Sequence, residues 1–305
     1  MIEVLKRVIL MIAMFVFLAV AIPAVLNALY YIEMKKTDNL YMYSKKQTST
    51  TTKIMSYNIR CWNVMDYGRK NWFLRAGAIM QTLLNFRPHI VGFQEVTSIQ
   101  YKYLKDHFIG YDSTICYRDH SPFSEGCPIF FNANQYTLLK KNTFWLSNTP
   151  QIMSKDWGAS NYRVCTYVVL KDKATNVTFA VLNTHLDDRS DTARQNSLEL
   201  IRKCQESLKI PTILIGDFNF DDQSLTYKYI TQYFNDTKQL AEKSINDVTY
   251  HNWGKKTSGS PIDYVFTKFD KIHTLSYYID KNTYNDVFPS DHYPICVELD
   301  LQEYE

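Results

Sequence analysis

The chain has 305 residues, 46% of them apolar and 21% charged, with only nine Gly and nine Pro, which excludes collagen-like and low-complexity architectures. Its 23 Tyr and 17 Phe exclude extended disorder and favour strands. The net charge of +3 is unevenly placed: residues 1–53 hold seven Lys/Arg against three Asp/Glu, and the remaining 27 against 28 exclude a broad nucleic-acid clamp on residues 54–305.

From Val8 to Ile32 no residue is charged, and Lys6-Arg7 and Lys35-Lys36 bracket the run. About 20 apolar residues cross a bilayer as a helix, so residues 1–32 are expected to form a single-pass membrane anchor. The alternative is a cleaved signal sequence, for which Ala19-Val20-Ala21 supplies small residues at a cut. Residues 33–53 are polar and patternless and are expected as a stem, so deleting residues 1–52 should remove no element of the folded domain. Lys35, Lys36, Lys45 and Lys46 after the span favour a cytosolic domain. The acceptor sequences Asn176-Val177-Thr178 and Asn235-Asp236-Thr237 favour a lumenal or extracellular one, which is the expectation adopted. Six Cys without a CxxC pair argue against zinc and permit disulfides; Cys116 and Cys127 flank an expected hairpin and are placed to pair.

Beyond the stem, short β-rich runs alternate with helical ones. Residues 54–59 read as a strand, 72–86 as a helix, 90–93 as a strand and 97–108 as a helix. Strands are expected at 129–131, 164–170 and 177–183, followed by a helix at 191–208 with Leu198, Ile201 and Leu208 on one face and Pro211 as its stop. Three more strands are expected at 212–215, 264–266 and 293–299. No linker or repeat divides residues 54–305, so one mixed α/β sandwich domain is expected.

The chemistry lies where polar residues fall at strand ends. Five such ends carry Ser56-Tyr57-Asn58, Gln94-Glu95, Asn183-Thr184-His185-Leu186-Asp187, Gly216-Asp217-Phe218-Asn219 and Ser290-Asp291-His292, and Asp263 directly precedes an apolar run. Carboxylates gathered on one rim of a sandwich repel one another unless a cation sits among them. Oxygen donors without Cys select Mg²⁺ or Mn²⁺ over zinc.

These motifs, taken with Gly92-Phe93 before Gln94-Glu95, Ile262-Asp263-Tyr264 and His292-Tyr293-Pro294, resemble the endonuclease/exonuclease/phosphatase superfamily, the DNase I-like metal-dependent phosphohydrolases. The resemblance runs in order from Ile54 to about Leu301. It implies a four-layer αββα sandwich with the active site at one end of the paired sheets. It also implies that Glu95 is the principal metal ligand, with Asn58 beside it orienting metal and phosphate and Asp291 a second acidic metal or His-orienting position. Asp217 and Asn219 match the pair that positions the attacking water, and His292 the neighbouring catalytic His. His185 matches a His on the scissile phosphate, with Asp263 the carboxylate that orients it. The general base is left open between a His and an Asp.

Two further residues follow from their place in the family pattern. Glu125 stands where relatives carry a Glu before a strand and is expected to hydrogen-bond a catalytic His. Arg163 stands where relatives set an Arg against the substrate phosphate, a task its bidentate fork suits. The family spans several phosphoesters, so fold does not fix substrate. Residues 144–150 resemble a compact branch grouped with deadenylase-like nucleases, and a monomeric nuclease acting on nucleic acid is the first expectation. A membrane-tethered lipid phosphodiesterase of the sphingomyelinase type is the alternative, and a non-catalytic binding module a remoter one. Inositol phosphatases are disfavoured because Gly259-Ser260-Pro261 replaces their Trp-Cys-containing stretch.

Overall fold

The computed structural model describes residues 2–45, 50–245, 247–269 and 272–301. Lys46 and Ser49 of the expected stem, and residues 302–305 of the expected domain, lie outside the described residues. The chain opens with α1 (Ile2–Thr37), followed by β1 (Thr51–Asn58), α2 (Trp72–Phe86), β2 (Ile90–Gln94) and α3 (Ser98–His107). Strands β3 (Tyr111–Thr114), β4 (Ile129–Asn132), β5 (Tyr136–Trp145), β6 (Val164–Asp172) and β7 (Thr178–His185) come next. They lead into α4 (Asp191–Leu208), β8 (Thr212–Asp217), β9 (Asp263–Lys268), β10 (His273–Ile279) and β11 (Ile295–Asp300).

Strands β1 to β11 fall into two large sheets. One has the order Lys243–Ser244, β10, β11, β1, β2, β4, β3, and the other Asn235–Asp236, β9, β8, β7, β6, β5. Ile54, Ile90, Val181, Ile213, Ile215 and Val297 interdigitate between them. On the outer face of the first sheet Trp72, Ile79 and Leu83 of α2 and Leu104 of α3 cover Met55, Tyr57 and Phe93. On the outer face of the second, Leu198 and Ile201 of α4 cover Cys165, Leu182 and Leu214. This is the four-layer αββα sandwich expected from the sequence.

Local signals set the helix ends. Thr97 and Gln100 form a reciprocal capping box at the start of α3, and Ser190 accepts from Ala193 N–H at the start of α4. Three of these strands, β3, β5 and β10, go unannounced in the sequence. β5 (YTLLKKNTFW) is an edge strand whose middle is exposed, so Lys140 and Lys141 interrupt the alternation that would reveal it while discouraging edge pairing. β10 mixes polar and aromatic residues beside a two-residue edge strand. β11 begins at Ile295 rather than at residue 293 because Pro294 has no N–H to offer and Tyr293 N–H bonds Thr249. All six cysteines are free thiols, including Cys116 and Cys127: the expected pairing is not formed.

Helix α1 has two parts. From Val4 to Ile22 its large apolar side chains are exposed, whereas Pro23, Asn27 and Met34 are buried along one stripe that docks on α2. Residues 33–53, read from sequence as a stem, contain structure that belongs to the domain. Glu33–Thr37 complete α1, Met42–Tyr43 pair in parallel with Phe108–Ile109, and β1 begins at Thr51. Removal of residues 1–52 is therefore expected to lower the melting temperature, since it takes Met34 and Met42 out of the core and shortens β1. Removal of residues 2–21 spares these contacts and should leave thermal stability and turnover unchanged. Thermal melts of both truncations in detergent check this; equal stability of the longer deletion would mean that the docked stripe contributes nothing.

Candidate active site

Strand register brings the polar ends together. Asn58 ends β1 opposite Gln94 of β2, and Asp217 ends β8 between His185 of β7 and Asp263 of β9. A polar bridge ties the two sheets beneath these ends. Gln94 Nε2 donates to Asn183 Oδ1 at 2.7 Å, and Asn183 Nδ2 donates to the Phe93 and Pro128 carbonyls at 2.8 Å each. Gly216 lets β8 lie close to β7: a Cβ there would stand 2.2 Å from the Thr184 carbonyl oxygen. Gly216→Ala should displace Asp217, costing about 1–3 kcal/mol of stability and most of the turnover. An unchanged melting temperature would show that the backbone gives way freely.

Glu95, at a left-handed φ of 62° directly after β2, turns its carboxylate into the cleft. Its Oε1 accepts from Asn58 Nδ2 at 3.1 Å and its Oε2 from Cys61 N–H at 3.0 Å. Burial opposes its ionisation, but the Arg60 guanidinium and these donors hold its pKa below the usual glutamate range. Asn58 Nδ2 also donates to Asp217 Oδ2 at 2.9 Å, while its Oδ1 accepts from Arg60 N–H. Asn58 thus presents an N–H to both carboxylates and keeps its oxygen turned to the backbone.

Asp217 accepts from Asn219 N–H at 3.1 Å and faces His185 Nε2 at 3.5 Å and His292 Nε2 at 3.7 Å. Burial and the nearby Asp263 push its pKa up to about 7. His292 Nδ1 lies 2.9 Å from Asp263 Oδ2. Burial works against the imidazolium, but Asp263, Asp217 and Asp291 lift the His292 pKa to about 10, so it is held as a cation. His185 is held neutral by burial and by the positive Arg163 and Arg118. Two histidines of opposite charge state thus flank one carboxylate.

Two expected partnerships differ. Asp263 orients His292 and not His185, because Asp217 lies between Asp263 and His185 in the register of the sheet. Glu125 bonds no histidine. The 118–125 loop closes on itself through Arg118 N–H to Glu125 O, which places the Arg118 guanidinium 2.8 and 2.9 Å from the two Glu125 oxygens. Burial and Glu95 still raise Glu125 to about 7.

The remaining expected residues line the same cleft of about 290 Å³. Asp291 is nearly buried, and burial together with Glu95 raises its pKa despite His292. Asn219 enters beside it, its Nδ2 bonded to the Leu186 carbonyl at 3.1 Å. Buried Arg163 reaches Asp188 Oδ1 at 3.1 Å, and its Nε lies 3.9 Å from Asp187 Oδ2 without a hydrogen-bond partner. Sequence reasoning missed Arg118 and the wholly buried Arg75, which donates to the Ile59, Arg60 and Pro289 carbonyls and so ties the exits of β1 to the 289–292 segment. Nothing in their local sequence marks either one: Arg75 acts through contacts distant along the chain, and Arg118 through the closure of the 118–125 loop.

Five carboxylates line the cleft (Glu95, Glu125, Asp188, Asp217, Asp291) against three guanidiniums (Arg60, Arg118, Arg163). The surplus of negative charge, and the raised pKa of Asp217, Glu125 and Asp291, mark crowding that a divalent cation relieves. Asp217, Asp263 and His292 offer three atoms within 4.8 Å of one another, although the hydrogen bond between Asp263 and His292 already occupies one face of that group. The donor set fits a hard cation.

The Exo_endo_phos family model, described as the endonuclease/exonuclease/phosphatase family, matches residues 55–292. The chain belongs to the endonuclease/exonuclease/phosphatase family. It is a hydrolase of phosphoric ester bonds, from a family whose enzymes depend on a divalent metal. An uncharacterized protein of Acanthamoeba polyphaga mimivirus is 26% identical over 269 residues, covering 80% of this chain and 98% of that protein. The mannosyl-6-phosphatase of Bacteroides thetaiotaomicron is 30% identical, with a TM-score of 0.76 over 81% of this chain and 99% of that one. Human Nocturnin is 23% identical over 272 residues, and the match spans 76% of this chain but only 59% of that protein.

Proposed function

We propose that the chain is a membrane-anchored, Mg²⁺- or Mn²⁺-dependent phosphomonoesterase that releases phosphate from a small polar substrate. The observation that carries this reading is the convergence of Arg60, Arg118 and Arg163 on one cleft while residues 54–305 carry nearly balanced charge. A nucleic acid needs positive charge along a track. A terminal phosphate needs it at one point, where guanidinium forks suit its oxygens. The likeness to a mannosyl-6-phosphatase supports the same reading.

In this reading residues 1–32 are the anchor, and the catalytic domain (residues 54–305, with the docked 33–53 segment) is a monomer on the lumenal or extracellular side. Asn176 and Asn235 are exposed there, as glycan acceptors would be. Glu95 and Asp291 hold the metal, and Asn58 links Glu95 to Asp217. The bound ion supplies Lewis-acid polarisation of the phosphoryl oxygens. Asp217, with a pKa near neutrality, takes the proton of the attacking water, which Asn219 helps position. His292, charged and fixed by Asp263, and neutral His185 donate to the oxygens on which charge develops. Arg163 and the Arg118–Glu125 pair seat the non-reacting oxygens.

The nuclease expected from sequence is the second reading, supported by the likeness to Nocturnin. Parallel assays with hexose 6-phosphates, bis-nitrophenyl phosphate, oligoadenylate and sphingomyelin separate the candidates. Inorganic phosphate released faster from the hexose phosphates supports the proposal; cleavage of oligoadenylate or sphingomyelin with no release from the monoesters rejects it.

A further inference from the structure

The two loops that wall the cleft carry apolar side chains at their tips. Arg60 and Cys61 line the cleft, and a few residues on Met65 and Tyr67 are 56% and 43% exposed. Arg118 and Glu125 line it from the other side, and Phe123 between them is 54% exposed. Half-buried Trp62 joins the two tips, its ring 5.7 Å from that of Phe123. Apolar side chains gathered beside a polar cleft mark an interaction surface.

The rim is fastened to α1 at one level. Trp62 Nε1 donates to Asn27 Oδ1 at 3.1 Å, and Asn27 Nδ2 donates to the Val64 carbonyl at 3.1 Å. Asn71 at the start of α2 also donates to Asn27 Oδ1, at 2.9 Å. Counted from the first residue after Lys6-Arg7, the roughly 20 residues that cross the ~30 Å hydrocarbon layer end at Asn27. The side chain that marks the end of the span is therefore the one that holds the loop tips. Tryptophan and tyrosine favour that depth, where an apolar ring meets the headgroups.

We infer that Trp62, Met65, Tyr67 and Phe123 form a membrane-seating surface that rests in the bilayer interface beside α1 and holds the mouth of the cleft at headgroup level. This rests on the reading of the apolar run of α1 as a span, with residues 8–27 in the hydrocarbon layer and residues 28–32 at headgroup level. The partner is the lipid surface itself, to which α1 is continuous, and the fixed polar contacts of Asn27 leave the domain no stem on which to swing away.

The test uses the full chain in phosphatidylcholine vesicles containing lipid brominated near the glycerol end of the acyl chain, with tryptophan emission as readout. Wild type should be quenched more than Trp62→Phe, the difference amounting to roughly one fifth of the emission of the five tryptophans if Trp62 sits at interfacial depth. Phe123→Trp, which leaves Trp62 in place, should add quenchable emission and serves if Trp62→Phe fails to fold. Chain that resists alkaline carbonate extraction, with neither variant differing from wild type in quenching, overturns the seating surface while leaving the span standing; this is also the outcome if a second protein covers the rim. Chain that carbonate extracts overturns both.

Discussion

Asp217→Ala should cut turnover by at least about 10²-fold while leaving the melting temperature unchanged or raised. The carboxylate is buried beside Asp263, and with its pKa pushed up to about 7 stability falls as pH rises from about 4 to 7 and stays lower beyond; deletion recovers this cost. His292→Ala should cause a comparable loss of turnover with the opposite effect on stability. It leaves Asp263, 1% exposed and already holding one unpartnered oxygen, as a buried charge without its cation. Adding Asp263→Ala to His292→Ala should restore much of the lost stability and none of the activity. The Asp217→Ala/His292→Ala pair should lose far less than the product of the single losses, because both groups serve one water and one phosphate. Turnover and thermal melts on the four variants check this. Full turnover in His292→Ala with a lowered melting temperature would reduce His292 to a structural residue.

Glu95→Gln should weaken Mg²⁺ binding by about 10²-fold or more while the fold persists. The substitution keeps the volume but removes the charge, and Glu95 is held ionised by Arg60 and the donors from Cys61 and Asn58. Both its oxygens accept from N–H groups, so the amide can satisfy only one of them and a small loss of stability should accompany the loss of metal. Calorimetric titration of Mg²⁺ into both proteins measures it. Equal affinities would move the metal to the Asp217, Asp263 and His292 group.

Much of this site was legible because strand ends are local. Asn58, Glu95, His185 and Asp217 each follow a buried run whose length and β-branched content mark it, and parallel pairing brings those ends together, while His292 stands just ahead of the buried run of β11. Partnership was less legible. That Asp263 serves His292 and not His185 depends on β8 lying between Asp263 and His185, and that Glu125 serves Arg118 depends on how a loop closes. Arg75 at 0% exposure could not be anticipated, because a lone Arg in a helix reads as solvated until three carbonyls from other segments surround it. The 33–53 segment failed for the same reason: Met34 stands between charged residues and the Leu40-Tyr41-Met42-Tyr43 run is too short to mark an element, yet Met34 and Met42 each meet core residues far along the chain.

The most direct test is phosphate release by full-length protein stripped with EDTA and then titrated with Mg²⁺. Metal-dependent hydrolysis at this cleft predicts negligible turnover in the stripped protein, saturable recovery with Mg²⁺, and little recovery in Glu95→Gln at the same concentrations. Full turnover in the stripped protein without added metal would contradict it.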